Sequence, residues 1–283
     1  MTTQAKSASY SAPKPWRKLA ALPKTGGMPL LAIVLPSITL VLLLLVWDWA
    51  ITRFDVPSTV LPRPLDAFEE LYFGLMNWTL VNHTLVTMQE VVYGFAIGAF
   101  GGFVFGVIVA EWSIARMAIF PFLIAFQMIP KVAIAPLFII WLGYGISSKV
   151  AIAASITFFP VLINTVAGLK AVDGETLEMM RAFRATRWQT FHRVKLKFAM
   201  PYIFASLEVA IVLAVIGAIV AEFVGSTQGL GYLILQATFK LETAKIFAVL
   251  VMLAILGIFL NALVRWAARR TLFWHDSQRS GRG

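Results

Sequence analysis

Six apolar runs, each long enough to cross a bilayer, take up most of this chain, at about residues 30–51, 84–110, 114–144, 150–168, 201–224 and 244–264. A helix of roughly 20 apolar residues spans the hydrocarbon core, because every backbone N–H and C=O buried in lipid is then satisfied within its own segment. The expected fold class is therefore all-α integral membrane, with six transmembrane helices. Composition agrees: 59% of the 283 residues are hydrophobic and 13% charged, against a charged share of about 25% in soluble domains.

The net charge of +10 raises the question of nucleic acid. Most of the Lys and Arg, however, fall before residue 25, at Arg116, between Lys170 and Lys197, and from Arg265 on. Alternate connections are thus basic, which assigns them to the cytoplasm by the positive-inside bias. Anionic lipid is the partner this charge implies, and no nucleic acid is expected. Both termini then lie inside, with residues 1–28 a basic cytoplasmic tail, 29–275 the six-span domain and 276–283 a short C-terminal tail. Gly174 is expected on the cytoplasmic side, Asp66 and Thr227 outside. The chain has no cysteine, hence no disulfides, thiolate nucleophiles or thiolate metal sites. No cleavable signal pattern precedes the first run.

Within the runs, small residues and prolines carry the information. Gly94, Gly98, Gly102 and Gly106, with Ala110 continuing the row, form a stripe that lets another helix approach closely, since helix association in lipid rests on packing. Residues 114–144 make a run too long for one straight crossing and contain Pro121, Pro130 and Pro136. Such broken segments are tolerated where they line protein or a cavity. Outside, Pro62 and Pro64 introduce a short helix whose Leu65, Phe68 and Leu71 share a face, laid on the membrane surface or on neighbouring spans. Pro201 reads as a first-turn proline of the fifth span.

Between the fourth and fifth spans lies a polar, basic segment, residues 173–201, DGETLEMMRAFRATRWQTFHRVKLKFAMP. Asp173 is placed to cap a short helix running to Phe183, and Thr186 with Gln189 fits a capping box for a second. The segment is expected to fold as a helix-turn-helix on the cytoplasmic face. Its spacing resembles the "EAA" loop of permease subunits of binding-protein-dependent ABC importers. Glu178 stands at the Glu, Met179 and Met180 at the two Ala, Arg184 at the Gly, Val194 and Leu196 at the Ile and Leu, and Lys197 at the Pro. PRPLDAFEEL (62–71), QMIPKVAIAPLFIIWLGYG (127–145) and AEFVGSTQGLGYLI (221–234) are similar to segments of the nitrate/sulfonate/taurine-type branch. The resemblance covers about residues 60–275.

What it implies is a MetI-like permease fold that pairs with a second permease subunit, a homodimer being the simpler arrangement. The permease would bind ATP-binding cassette ATPase subunits through the central loop and receive solute from an external binding protein. The implied ATPase-coupling residues are Glu178, Met179, Met180, Arg181, Arg184, Ala185 and Thr186. Because Arg replaces Gly at 184, and the Thr186 cap can start a helix whatever precedes it, the turn is expected without a positive φ and with Arg184 helical. The implied solute is a small anion or small organic compound, and the implied location the bacterial inner membrane.

No phosphate-binding loop occurs, so any ATP is bound by a partner. The three histidines have no second ligand at metal or triad spacing, so no metal, cofactor or catalytic residue is assigned and the chain is not expected to be an enzyme. Ionisable residues inside spans are costly unless paired or wetted. Lys131, with Gln127 a turn before it, lies deepest and is a candidate for the translocation path. Glu90 and Glu222 are further candidates, Glu222 close enough to the span end to be hydrated. Two other classes stay open: an ATP-independent channel or ion-coupled carrier, and a non-transport assembly factor.

Overall fold

The computed structural model describes residues 29–272, and the two terminal tails lie outside the described residues. Every element among the described residues is helical: α1 (Pro29–Phe54), α2 (Pro64–Met76), α3 (Thr79–Glu111), α4 (Ser113–Met128), α5 (Ala135–Leu142), α6 (Ile146–Lys170), α7 (Gly174–Ala182), α8 (Arg187–Thr190), α9 (Leu196–Gly225), α10 (Leu230–Phe239) and α11 (Thr243–Thr271). Helix α1 belongs to a unit of its own ending at Phe54, and the rest from Asp55 forms the other. In α1 the helix continues through Pro36, and Trp49 and Phe54 meet edge to face near its end.

In the second unit, α3, α6 and α9 make the centre, with α11, α10 and α2 packed around α9 and α3. The α3–α6 contact is the most extensive and runs along the glycine stripe. A Cβ at Gly98 would lie 2.5 Å from the Ala154 carbonyl oxygen, one at Gly106 2.7 Å from Thr165 Cβ, and those at Gly94 and Gly102 would meet Ala153 and the Phe158 carbonyl. Absent side chains let the two backbones touch, which in lipid supplies the dispersion energy that water exclusion would supply elsewhere. A larger apolar cluster, including Val91, Ile211, Val215, Leu233, Val249 and Leu256, fills the space among α3, α9, α10 and α11.

Four helices of this unit are long and apolar enough to cross a membrane unaided: α3, α6, the helix of residues 187–225 and α11. The broken run is divided between α4 and α5, and the division falls at one proline of the three. Pro121 sits inside α4, while Pro136 occupies the first turn of α5, where its missing N–H costs nothing. The chain leaves helix over residues 129–134, around Pro130.

Two expectations about the next connection need correction. α8 is not a separate second helix: one wide π turn, Phe191–Lys195, joins it to α9, so the helix runs unbroken from Arg187 to Gly225. Pro201 therefore lies inside a helix, not in its first turn. Phe191 and Leu196 pack against Leu169, Ala199 and Ile203, and that burial carries the helix past the point where the sequence alone suggests a start.

The face expected on α2 also splits. Leu71 packs inward beside buried Pro64 and Ala67, but Leu65 and Phe68 are exposed. The inward stripe is displaced by one residue toward the small side chains.

Candidate functional site

The segment between α6 and α9 is held largely by its own hydrogen bonds. Asp173 caps α7: its Oδ1 accepts from the Thr176 N–H at 2.7 Å and its Oδ2 from the Thr176 hydroxyl at 2.9 Å. These bonds, the backbone one first, hold the Asp173 carboxyl below the usual carboxylate range. Thr186 Oγ1 accepts from the Gln189 N–H while Gln189 Oε1 accepts from the Thr186 N–H, at 3.2 and 2.9 Å. The expected capping box is present.

Arg184 departs from expectation. Its φ is 51°, in the left-handed region, and it is not helical. The reason lies in the end of α7. Arg184 N–H donates to the Arg181 carbonyl at 2.8 Å and Ala185 N–H to the Met180 carbonyl at 3.0 Å, the paired bonds of a Schellman cap, which requires the residue between them to turn left-handed. Two otherwise orphaned carbonyls gain donors, and that outweighs the steric cost of a side chain there, of order 1–2 kcal/mol. The Thr186 cap does start the next helix, but it does not relieve Arg184.

Around these turns Glu178, Met179 and Arg181 are placed along the outer part of α7, with Met179 exposed, and Phe183 and Trp188 stand out 75% and 70% exposed. Among the described residues no other helix packs extensively on α7. The unit presents apolar and charged side chains outward from a bundle that does not cover them.

Of the candidate path residues, Gln127 is exposed and Lys131 half-buried. Lys131 Nζ donates to the Gln127 carbonyl, freed by the break at Pro130, and stands 4.6 Å from the centre of the Phe159 ring. Glu90 and Glu222 form a different and much more enclosed site at the opposite end of the central helices from α7. Both are buried, with 1% and 0% exposure, so Glu222 is not hydrated despite lying near the end of α9. Thr87 Oγ1 donates to Glu222 Oε1 at 2.6 Å, and the backbone N–H groups of Gly231 and Tyr232 donate to Oε2. Glu90 lies against the Glu222 carboxyl and is 3.6 Å from Lys149 Nζ on α6.

The turn into α10 completes this cradle. Gly229 has φ 110°, and a Cβ there would collide with the Glu222 carboxyl. Its N–H donates to His83 Nδ1 at 2.9 Å, and the next N–H, of Leu230, donates to Thr87 Oγ1 at 2.8 Å. Four elements, α3, α6, α9 and the start of α10, thus meet on two carboxyls. Thr87, Lys149 and His83 carry no motif that would single them out in the sequence, whereas Gly229 lies within the 221–234 segment quoted for the resemblance. The signal available is the need of each buried acid for partners; Lys149, at the head of its span, is the cation placed to meet it.

Residues 102–272 match the family described as binding-protein-dependent transport system inner membrane component. The chain belongs to this family. It is a permease subunit of an ABC importer. A riboflavin transport system permease protein of Chloroflexus aurantiacus is 37% identical over 245 residues, covering 84% of the permease and 91% of that protein. A formylaminopyrimidine transport permease protein of Halalkalibacterium halodurans is 30% identical over 250 residues, 86% and 96% of the two chains. A putative aliphatic sulfonates transport permease protein of Bacillus subtilis is 32% identical over 225 residues, 78% and 80%. Among solved structures, a chain of the MetNI methionine ABC transporter in an inward-facing form superposes with TM-score 0.59 at 21% identity, covering 70% of the permease and 96% of that chain. The expected MetI-like fold is therefore the observed one.

Proposed function

We propose that the permease couples to ATP-binding cassette ATPase subunits through residues 173–201, Glu178 entering the ATPase surface with Met179 and Met180 beside it. Arg181, Arg184, Ala185 and Thr186 shape the turn that presents them. The observation that carries this reading is α7, capped at its start by Asp173 and followed by the Thr186–Gln189 box, which leaves Met179 and Phe183 uncovered. Exposed aromatic and apolar side chains on a locally rigid element suit a partner surface. ATP binding and hydrolysis reside in that partner, and the permease itself is no enzyme.

In this reading a second permease subunit, most simply a copy of this chain, closes the path, and a solute-binding protein delivers to the end that carries the Glu222 cradle. Both termini and α7 face the cytoplasm. Gln127 and Lys131, at the break between α4 and α5, border the path. Glu90 and Glu222 act behind it, holding their helices together while others move. The solute is a small anion or small organic compound; the relatives named for riboflavin, formylaminopyrimidine and aliphatic sulfonates support that breadth.

The test is Glu178→Ala in the complex with its ATPase. The expected result is a several-fold fall in solute-stimulated ATP hydrolysis with the complex intact by size-exclusion chromatography. Unchanged stimulation would remove Glu178 from the coupling role.

A further inference from the structure

Beside α7 lies a cleft that the coupling role uses only at its edge, through Arg181 and Ala185. It is an open cavity of about 610 Å³ between the α3–α4 turn and the α7–α8 unit, and Arg116, Arg181, Arg187, Lys195 and Glu111 line it. Glu111 is engaged by Lys195 at 2.8 Å. Arg116 gives its guanidinium to the carbonyls of Ala110 and Val109, at 2.7 and 3.3 Å, which holds the group in place without neutralising it. Among the described residues no carboxylate pairs with Arg116, Arg181 or Arg187. Three uncompensated guanidiniums facing one concavity make a site for an anion, and their planar donor forks favour phosphate oxygens.

What kind of anion follows from the walls beyond the cleft. Glu111 and Arg187 also line two apolar grooves that open from it. One, of about 560 Å³, runs along α4 past Trp112, Ile114 and Ile119. The other, of about 360 Å³, runs along α3 past Ile108, Trp188 and Phe191. Both follow helices that cross the membrane, or begin to, from the level where the spans end. Trp112 and Trp188 are 63% and 70% exposed, the position of interfacial anchors. On α7, Leu177 and Arg181, one turn apart, line the cleft, whereas Met179 and Phe183 do not. The cleft thus meets the surface assigned to the ATPase at Arg181 and Ala185, while Glu178, Met179 and Phe183 lie outside it.

We propose that this cleft binds the phosphate headgroup of an anionic phospholipid, with an acyl chain lying in the adjoining apolar groove. Basic pockets at the ends of spans select anionic headgroups by charge, each basic residue near the surface contributing about fivefold in affinity. Bound there, the lipid ties the α3–α4 turn to the α7–α8 unit and stiffens the element that the ATPase moves.

The experiment uses the full-length chain purified in detergent, with bound lipid read by native mass spectrometry. The probes are phosphatidylglycerol, phosphatidylcholine with the same acyl chains, and inorganic phosphate. Phosphatidylglycerol should be retained and phosphatidylcholine lost. Arg181→Gln with Arg187→Gln should weaken phosphatidylglycerol retention about thirtyfold, whereas Arg269→Gln with Arg270→Gln, removing the same charge from the end of α11, should change it less than about twofold. Ser113→Asp, at the first turn of α4 where an acid suits the helix, keeps every cation and adds a carboxylate to the cleft. It should cost about fivefold. Equal losses in the two double variants would mean diffuse attraction and overturn the site. Displacement of the lipid by inorganic phosphate at equal concentration would make it a free-anion site. Loss of the lipid on adding the ATPase subunit would assign the cleft to that partner instead.

Discussion

The α7–α8 unit and the Glu222 cradle lie at opposite ends of the same central helices, and they are held in opposite ways. In the first, the hydrogen bonds join residues close in the chain: Asp173 to Thr176, Thr186 to Gln189, Ala185 to Met180. In the second, Thr87 and Glu222 are 135 positions apart, Leu230 and Thr87 143, Gly229 and His83 146. A locally bonded turn keeps its shape while the end of α9 to which it is joined moves, which suits a part that transmits force. A cradle bonded across four elements has no shape apart from the bundle, which suits a part that holds helices together while others move. Disturbing the cradle should therefore unfold the protein, and disturbing the loop should change a local equilibrium.

Glu222→Ala should have the largest effect. It leaves the Gly231 and Tyr232 N–H groups without their acceptor and the Thr87 hydroxyl with only the His83 carbonyl, at 3.2 Å, in a buried site, and orphaned buried donors cost about 1–3 kcal/mol each. A loss of at least about 2 kcal/mol is expected, read as a large fall in melting temperature of the detergent-purified chain. Glu222→Gln, which keeps one acceptor oxygen, should lose less. Equal losses would mean that the contact with the backbone donors is not what Glu222 supplies.

Gly98→Ala tests the seam that joins the two ends. Its Cβ would lie 2.5 Å from the Ala154 carbonyl oxygen and 2.8 Å from Thr157 Cβ. The first is backbone, so α3 and α6 must separate, and overpacking of this kind costs about 1–3 kcal/mol. Gly257→Ala, inside α11 where nothing lies within 4 Å, is the matched control; it removes only the cost of a helical glycine, about 0.5–1 kcal/mol, and should leave the melting temperature unchanged or slightly higher.

How legible each region is follows from the same contrast. The Asp173 cap, the Thr186–Gln189 box and the glycine stripe are short-period patterns, and each can be read from spacing because its partner residue or face recurs within a turn or two. The break at Pro130 is legible as a break, but not as the single one, because whether a proline bends or ends a helix depends on what packs beside it. Glu90 and Glu222 are visible as charges in apolar runs. That they meet, and meet Lys149, depends on how three helices are rotated about their axes, which no local pattern encodes. Arg184 runs against expectation for a related reason: propensity argues against a positive φ, but the hydrogen bonds of the helix end decide it.

Thr186→Ala should then act locally. Removing an N-cap acceptor costs about 1 kcal/mol, and here the loss falls on the first turn of α8. Hydrogen exchange of the Gln189 amide should accelerate about fivefold, while the melting temperature stays nearly unchanged because the cradle and seam are untouched. A large fall in melting temperature would join the loop to the global fold and erase the distinction between the two regions.

Arg184→Gly should have the smallest effect and the opposite sign. The side chain at φ 51° costs about 1–2 kcal/mol in the left-handed region. Glycine removes that cost, but its freer unfolded chain returns about 0.5–1 kcal/mol. Steric relief outweighs the entropy, so a net gain of about 0.5–1 kcal/mol is expected, confined to the turn. Leu241 provides the comparison within the same molecule. Its φ is 59°, and the Leu241 and Glu242 N–H groups donate to the Thr238 and Ala237 carbonyls at 3.2 and 2.9 Å, the same Schellman pattern at the end of α10. If the hydrogen bonds of the cap set the conformation at both places, Arg184→Gly and Leu241→Gly should each slow exchange of the amide that follows, Ala185 and Glu242, by a similar factor of about two to five, in keeping with that gain. Faster exchange at Ala185 with slower exchange at Glu242 would mean that the Arg184 side chain itself holds the α7–α8 turn, and that the coupling unit depends on more than its local hydrogen bonds.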